Sequence, residues 1–351
     1  MTMATRKQDG PRIVALQMKR IGDLLLTTPA LAALRARQPE ARIILCGSPV
    51  ASVLAPALPM VDGVIGWRGG PAGALDALRV FGQARGRGGL ALDFTGTDRS
   101  AVATIFSRAQ ERRSFAWMER KGRRSRLYTE LVESSVRERH TVDHYLDLVG
   151  GPLDPGSTPP HAVLDLPEAV SQQTAKFLEQ RGVTGPYAVL HPGSARAEKH
   201  WLPQRWAWLL KRLTERFSGQ ILLTGTSDPH EVAHLREILA GARVPAGRLV
   251  DLAGGTPLLT LAAIIKGARF LIGVDSAAVH FAGGFGVPCL SLYGPTNPYH
   301  WRVRSAKAWI AQAGFDHLTL EEEFTPKHRG RAMDELRTET VWDGVERIIP
   351  I

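Results

Sequence analysis

The chain has 351 residues, 44% hydrophobic and 22% charged. That is the balance of a soluble globular protein, and the length exceeds one ordinary core, so two domains of ~150 residues each are expected. Lys and Arg total 44 against 34 Asp and Glu, a formal charge of +10, which favours acidic partners (nucleic acid, an anionic membrane face, phosphorylated substrates) without choosing among them.

Cys46 and Cys289 each sit in an apolar run. They argue against a disulfide framework or a cysteine-held zinc and fit buried thiols in a reducing cytoplasm. The opening "MTMATRKQDGPR" is polar and basic, with no apolar segment directly behind it, so no signal peptide is expected. No stretch reaches ~18 apolar residues without a charge, which argues against a transmembrane helix.

In chain order, "RIVALQ" (12–17) reads as a buried strand, and after "MKRIGD" comes a helical stretch in which Pro29 marks a kink or a late start. Strands follow at 42–47 and 61–67, with a short helix between them. "ALDALRVFGQARGRG" (74–88) is predicted helical, 90–94 is a strand, and "TDRSAVATIFSR" begins a helix capped by Thr97 or Asp98. Continuous apolar strands separated by helices imply a parallel sheet covered on both faces. The Gly- and Pro-rich "GGPLDPGSTPPHAVLDLP" breaks the rhythm as a linker, and a helix follows at 167–181. The second half repeats the alternation, with strands at 187–193, 219–225, 248–254, 269–275 and 287–294. After 301 the pattern weakens, and "ETVWDGVERII" reads as a final helix. Such domains bind ligands at the carboxyl ends of their strands.

Three loops of the second half lie at that end. In "HPGSARAEKHW" (191–201), Gly193 and Ser194 suit a turn whose amides face an anion, and Lys199 can reach a phosphate; a plain solvated loop is the competing reading. In "TGTSDPHE", Asp228 before Pro229 suits an N-cap, while Glu231 either accepts ribose hydroxyls or favours the helix dipole. In "IGVDSAAVHFAGGFGVP", Asp275 ends a strand, Ser276 can cap a helix, and Ser276 and His280 share one face of it. A tightly packed core helix with a hydrogen-bonded histidine is the bland alternative there. In the first half, Asp23 in "KRIGD" holds the corresponding place after the first strand, as a helix cap or as a general base facing an interdomain cleft.

Other chemistries fit less well. The chain has no strand–GxGxxG–helix fingerprint near its start, no GxxxxGK[ST], no Asp-x-Asp pair, no HExxH-type spacing and no GxSxG elbow. A basic cluster at 106–126, with Phe115 and Trp117 interleaved, reads as a solvated loop or as a site for a phosphorylated or lipid-linked acceptor at an anionic membrane surface. No recognised nucleic-acid module accompanies it.

The blocks "RIGDLLLTTPALAALRARQP", "LDFTGTDRSA", "LHPGSARAEKHWLPQRWAWL" and "GVDSAAVHFAGGFGVPCLSLYGPTNP", with the basic segment, resemble the glycosyltransferase family 9 heptosyltransferases over about residues 12–303. The first and last blocks are the specific ones. The resemblance implies an α/β, GT-B architecture of two Rossmann-like doubly wound domains facing a central cleft. It implies acceptor binding in 1–165, donor binding in 166–330, and a C-terminal helix in 331–351 packing back on the N-terminal domain. The implied reaction is inverting, metal-independent transfer of heptose from ADP-heptose to a phosphorylated, lipid-linked lipopolysaccharide-core acceptor. Asp23 would be the general base and Lys199 would offset charge on the departing ADP. Ser194, Glu231, Asp275, Ser276, Ala277 and His280 would hold the donor. Arg20, Thr95, Arg120, Lys121 and Arg123 would hold the acceptor. No cofactor is expected, and the protein is expected in the cytoplasm, peripherally on the inner membrane. Ala195 and Ala197 depart from better-known members, which are more polar there. A donor other than ADP-heptose, a protein or O-antigen acceptor, and a non-catalytic saccharide-binding relative are the alternatives.

Overall fold

The computed structural model describes residues 10–68 and 89–349. The helix expected at 74–88 lies outside the described residues. The chain divides into two compact units, Met1–Asp165 and Leu166–Ile351.

The first unit is built on β1 (Arg12–Gln17), α1 (Ile21–Arg37), β2 (Arg42–Gly47), α2 (Pro49–Leu54), β3 (Gly63–Gly66), β4 (Leu90–Asp93), α3 (Asp98–Phe106), β5 (Glu111–Phe115), β6 (Glu130–Val132) and α4 (Thr141–Asp147). All strand pairs are parallel, in the order β3-β2-β1-β4-β5-β6. The central strand β1 is buried from Ile13 to Gln17, which is why it reads as an unbroken apolar run. Pro29 sits inside an unbroken α1. Thr97 caps α3 in a capping box with Ser100. Strands β5 and β6 fall within or beside the basic segment that the sequence leaves without strands: "ERRSF" is charged at its start and close to the sheet edge, where an apolar run is not required.

The second unit contains α5 (Glu168–Glu179), β7 (Tyr187–His191), α6 (Pro203–Arg216), β8 (Gln220–Leu223), α7 (Pro229–Gly241), β9 (Leu249–Asp251), α8 (Leu258–Gly267), β10 (Leu271–Val274), α9 (Ala277–Phe285), β11 (Cys289–Tyr293), α10 (Pro298–Trp301), β12 (Ala308–Gln312) and α11 (Thr338–Ile348). Its parallel sheet runs β12-β11-β10-β7-β8-β9. Strand β12 extends the sheet where the sequence pattern fades.

Helix α11 packs on the sheet of the second unit: Val341, Val345 and Ile348 enter one core with Leu290, Leu292 and Ala311 of β11 and β12. Its apolar stripe is the cover that face of the sheet needs. Leu336, just before it, accepts the Trp201 indole N–H at 2.9 Å.

In both sheets the chain winds outward from a central strand and then returns to its other side. The switch lies between β1 and β4 in one unit and between β7 and β10 in the other. Loops leaving these strands at their carboxyl ends hold most of the residues singled out above.

Candidate active site

In the first unit, Arg20 is the N-cap of α1 and makes no side-chain cap. The first-turn amides of that helix therefore face outward with their partial positive charge. Asp23 lies in this turn. Its Oδ1 accepts a hydrogen bond from the Tyr145 hydroxyl of α4 at 3.1 Å, and the Lys19 ammonium lies 3.9 Å away.

The loop beneath is pinned from β4. Asp93, fully buried, accepts from the Tyr128 hydroxyl (2.6 Å), the Thr95 amide (2.8 Å) and the Gly96 amide (2.9 Å). Burial pushes the Asp93 carboxyl up, opposed by those donors. The Thr95 hydroxyl accepts from the Met18 amide at 2.8 Å and reaches the Leu16 carbonyl at 3.3 Å. Thr95 is therefore buried and committed to holding the β1–α1 loop.

The basic segment divides into two kinds of residue. Arg112 donates to the carbonyls of Leu127 (2.6 Å) and Ala109 (2.7 Å), Arg113 pairs with Glu111 (3.0 Å) and Glu130 (2.7 Å), and Arg124 pairs with Asp98. These arginines hold the segment in place. Arg120, Lys121 and Arg123 lie on the 3-10 stretch Ala116–Leu127 and are exposed, as is Arg20. A solvated loop is thus only part of the picture, because a strand and a 3-10 turn order the cluster.

In the second unit, Lys199 and Asp275 come together from loops 76 positions apart. The ammonium lies 2.6 Å from Oδ2 and 3.3 Å from the Asp275 carbonyl oxygen. Their side chains are 13% and 7% exposed. Ser276 is the N-cap of α9, makes no capping bond, and its Oγ is buried without a partner among the described residues. Ala277 opens the helix and has no bulk to cover its amides. The result is an uncapped helix N-terminus beside a lysine, with an unspent hydroxyl: a site for an anion. His280 is buried one turn further in. In the next loop, after β11, Thr296 Oγ1 is likewise buried without a partner.

Ser194 is half-buried after β7, and its carbonyl lies 2.8 Å from His200 Nε2. His200 stacks on His234 of α7 at 4.5 Å. Glu231, also on α7, is 1% exposed. Its carboxylate accepts from the Thr226 amide at 3.1 Å and from the Thr226 hydroxyl, and it packs under Gly193, where an added Cβ would lie 1.7 Å from Oε1. Glu231 thus braces two loops, with both carboxylate oxygens engaged by Thr226. Asp228 caps α7 as expected, accepting from the amides of His230 (2.9 Å) and Glu231 (3.4 Å).

Sequence reasoning missed Tyr145, Thr226 and His200. Tyr145 reaches Asp23 from 122 positions away, so no local spacing could reveal it. His200 stood inside a quoted block, yet nothing in that block marks its partner.

Among the described residues, no group of three or more His, Cys, Asp or Glu is placed to hold a metal ion, and no helix is long and apolar enough to cross a membrane. The sequence model of glycosyltransferase family 9 (heptosyltransferase) matches residues 83–325. Lipopolysaccharide heptosyltransferase 3 of Escherichia coli is 26% identical over 290 residues, 80% of this chain and 83% of that protein. Among solved structures, E. coli ADP-heptose lps heptosyltransferase II superposes with a TM-score of 0.77 at 20% identity, covering 96% of this chain and 98% of that one. E. coli heptosyltransferase WaaC with ADP gives 0.71 at 21% identity, covering 96% and 100%.

Proposed function

The chain belongs to glycosyltransferase family 9, the heptosyltransferases, and on that premise we propose that it transfers heptose from ADP-heptose to a phosphorylated, lipid-linked acceptor of the lipopolysaccharide core. The observation that carries this reading is the Lys199–Asp275 pair beside the uncapped N-terminus of α9. The lysine, the free amides and the spare Ser276 hydroxyl together suit the diphosphate of a nucleotide sugar. The similar heptosyltransferase solved with ADP supports the same choice of nucleotide.

Asp23 takes the proton of the acceptor hydroxyl as that oxygen attacks the anomeric carbon. The bond from that carbon to the ADP oxygen breaks, the electron pair leaves with ADP, and the configuration inverts. Lys199 and the α9 amides oppose the charge that collects on the departing diphosphate. Arg20, Arg120, Lys121 and Arg123, exposed on the first unit, hold acceptor phosphates as charge partners. The scheme routes no step through a metal ion.

The lipid-linked acceptor places the enzyme at an anionic membrane face, and α3 supports this. That helix buries the small residues Ser100, Ala101, Ala103 and Thr104 and turns Val102, Ile105 and Phe106 outward, 44%, 49% and 43% exposed. The exposed Arg99 shares a face with Val102 and Phe106, and Asp98 ties the helix to the basic segment through Arg124. Apolar side chains rimmed by arginines suit a lipid headgroup layer.

Calorimetric titration with ADP, UDP and GDP tests the donor assignment. ADP should bind at least about tenfold more tightly than the other two, a difference of ~1.4 kcal/mol. Equal affinities would overturn it.

A further inference from the structure

Tyr145 belongs to no motif the sequence singles out, and its hydroxyl touches the proposed base. We infer that Tyr145 is a positioning residue for glycosyl transfer, fixing the Asp23 carboxylate so that one oxygen faces the acceptor. The inference rests on the reading of Asp23 as general base.

The geometry is specific. Tyr145 Oη donates to Asp23 Oδ1 at 3.1 Å, and the Lys19 ammonium approaches the same oxygen at 3.9 Å. Both partners sit on Oδ1, so Oδ2 is left to accept a proton. The phenol cannot follow the carboxylate if it rotates: Tyr145 is 1% exposed, packs edge-on against Phe94 at 5.7 Å, and tilts against His144 at 5.6 Å. Helix α4, which carries it, lies against α1. A donor clamped by the core therefore fixes the χ angles of a carboxylate that is 15% exposed and whose rotation about its terminal bond is otherwise soft.

Among the described residues, the charged and titratable groups facing Asp23 are Lys19, from the loop before α1, and Tyr145, from α4. Lys19 also lies over the Tyr145 ring, 5.8 Å from its centroid. His144, the next residue on α4, turns instead to Ser134 and stacks on Phe115. Burial, followed by the charge of Asp23, raises the Tyr145 phenol well above its ordinary value, so it remains a proton donor across the working range. Asp23 is also held through its backbone: its carbonyl accepts from Thr27 Oγ1 at 2.7 Å, and that hydroxyl accepts from Gln17 at 2.8 Å. The main chain of the turn is thus fixed independently, which leaves Tyr145 to set the carboxylate.

Tyr145→Phe keeps the ring and removes the donor. The expected result is a fall in kcat of about tenfold or more, the scale of one hydrogen bond to a charged group, with KM for ADP-heptose and affinity for ADP unchanged. A thermal unfolding scan of the variant accompanies the kinetics. Two results would overturn the inference: a kcat matching the wild type, or a loss of kcat matched by a rise in KM for ADP-heptose. Asp23→Asn, assayed alongside, separates the two readings. If Asp23→Asn is inactive while Tyr145→Phe behaves as wild type, the base stands and the role of Tyr145 falls. If Asp23→Asn turns over normally, the base reading itself falls.

Discussion

Lys199 and Asp275 form an ion pair at 2.6 Å with both side chains largely out of solvent, joining the loop after β7 to the strand-to-helix turn after β10. Removing one partner of such a pair strands a buried charge and costs about 3 kcal/mol. Asp275→Ala should therefore lower the melting temperature by several degrees, and Lys199→Met should do the same. The combination Lys199→Met with Asp275→Asn should recover most of that stability while leaving ADP affinity low. Thermal scans and ADP titrations on the three variants separate the two effects. Equal losses of stability in the double and single variants would contradict the pairing argument.

The apolar face of α3 predicts membrane binding. The triple variant Val102→Ser, Ile105→Ser, Phe106→Ser should lose at least about tenfold of its affinity for vesicles containing phosphatidylglycerol, measured by co-sedimentation, while ADP affinity stays unchanged. Wild-type binding should weaken at high salt and vanish on vesicles of phosphatidylcholine alone. A triple variant that sediments like the wild type would remove α3 from the account.

Buried histidines predict how stability responds to acid. Burial, with the charges of Lys19 and Arg139 adding to it, lowers His144 to about 3, and burial with the charge of His200 lowers His234 to about 4. Both stay neutral in the folded protein, whereas the unfolded chain takes up their protons near pH 6.5. The unfolded state therefore binds more protons below that pH, and stability present above pH 6.5 is lost as the pH falls toward 4. The melting temperature should drop between pH 7.5 and 5. A double variant, His144→Gln with His234→Gln, should show a shallower drop. An identical slope in the two proteins would contradict the assignment.

How far the molecule was legible in its sequence follows from where its information sits. Buried central strands such as β1 and β2 announce themselves at their observed bounds, because both faces must be apolar. The charged β5 and the late β12 do not, since their pairing is decided by neighbours. The helix start at Ser276 and the cap at Asp228 are local chemistry and were readable; that the Ser276 hydroxyl makes no capping bond was not. Glu231 was readable as a carboxylate in the right loop, but its fate beneath Gly193 depends on a fold-level approach that no spacing reveals. Thr95, likewise, is drawn into the core by Met18 and Leu16 across the sheet. Helix α11 showed its apolar stripe plainly, but a stripe does not say which sheet it will cover.

The central claim is that Asp23 takes the acceptor proton while the second unit holds the nucleotide sugar. The direct measurement is single-turnover transfer from ADP-heptose by Asp23→Asn, beside a calorimetric ADP titration of the same protein. Transfer should fall at least about 100-fold, with ADP affinity within about twofold of wild type, a difference of ~0.4 kcal/mol. Transfer at the wild-type rate with ADP still bound would contradict the account.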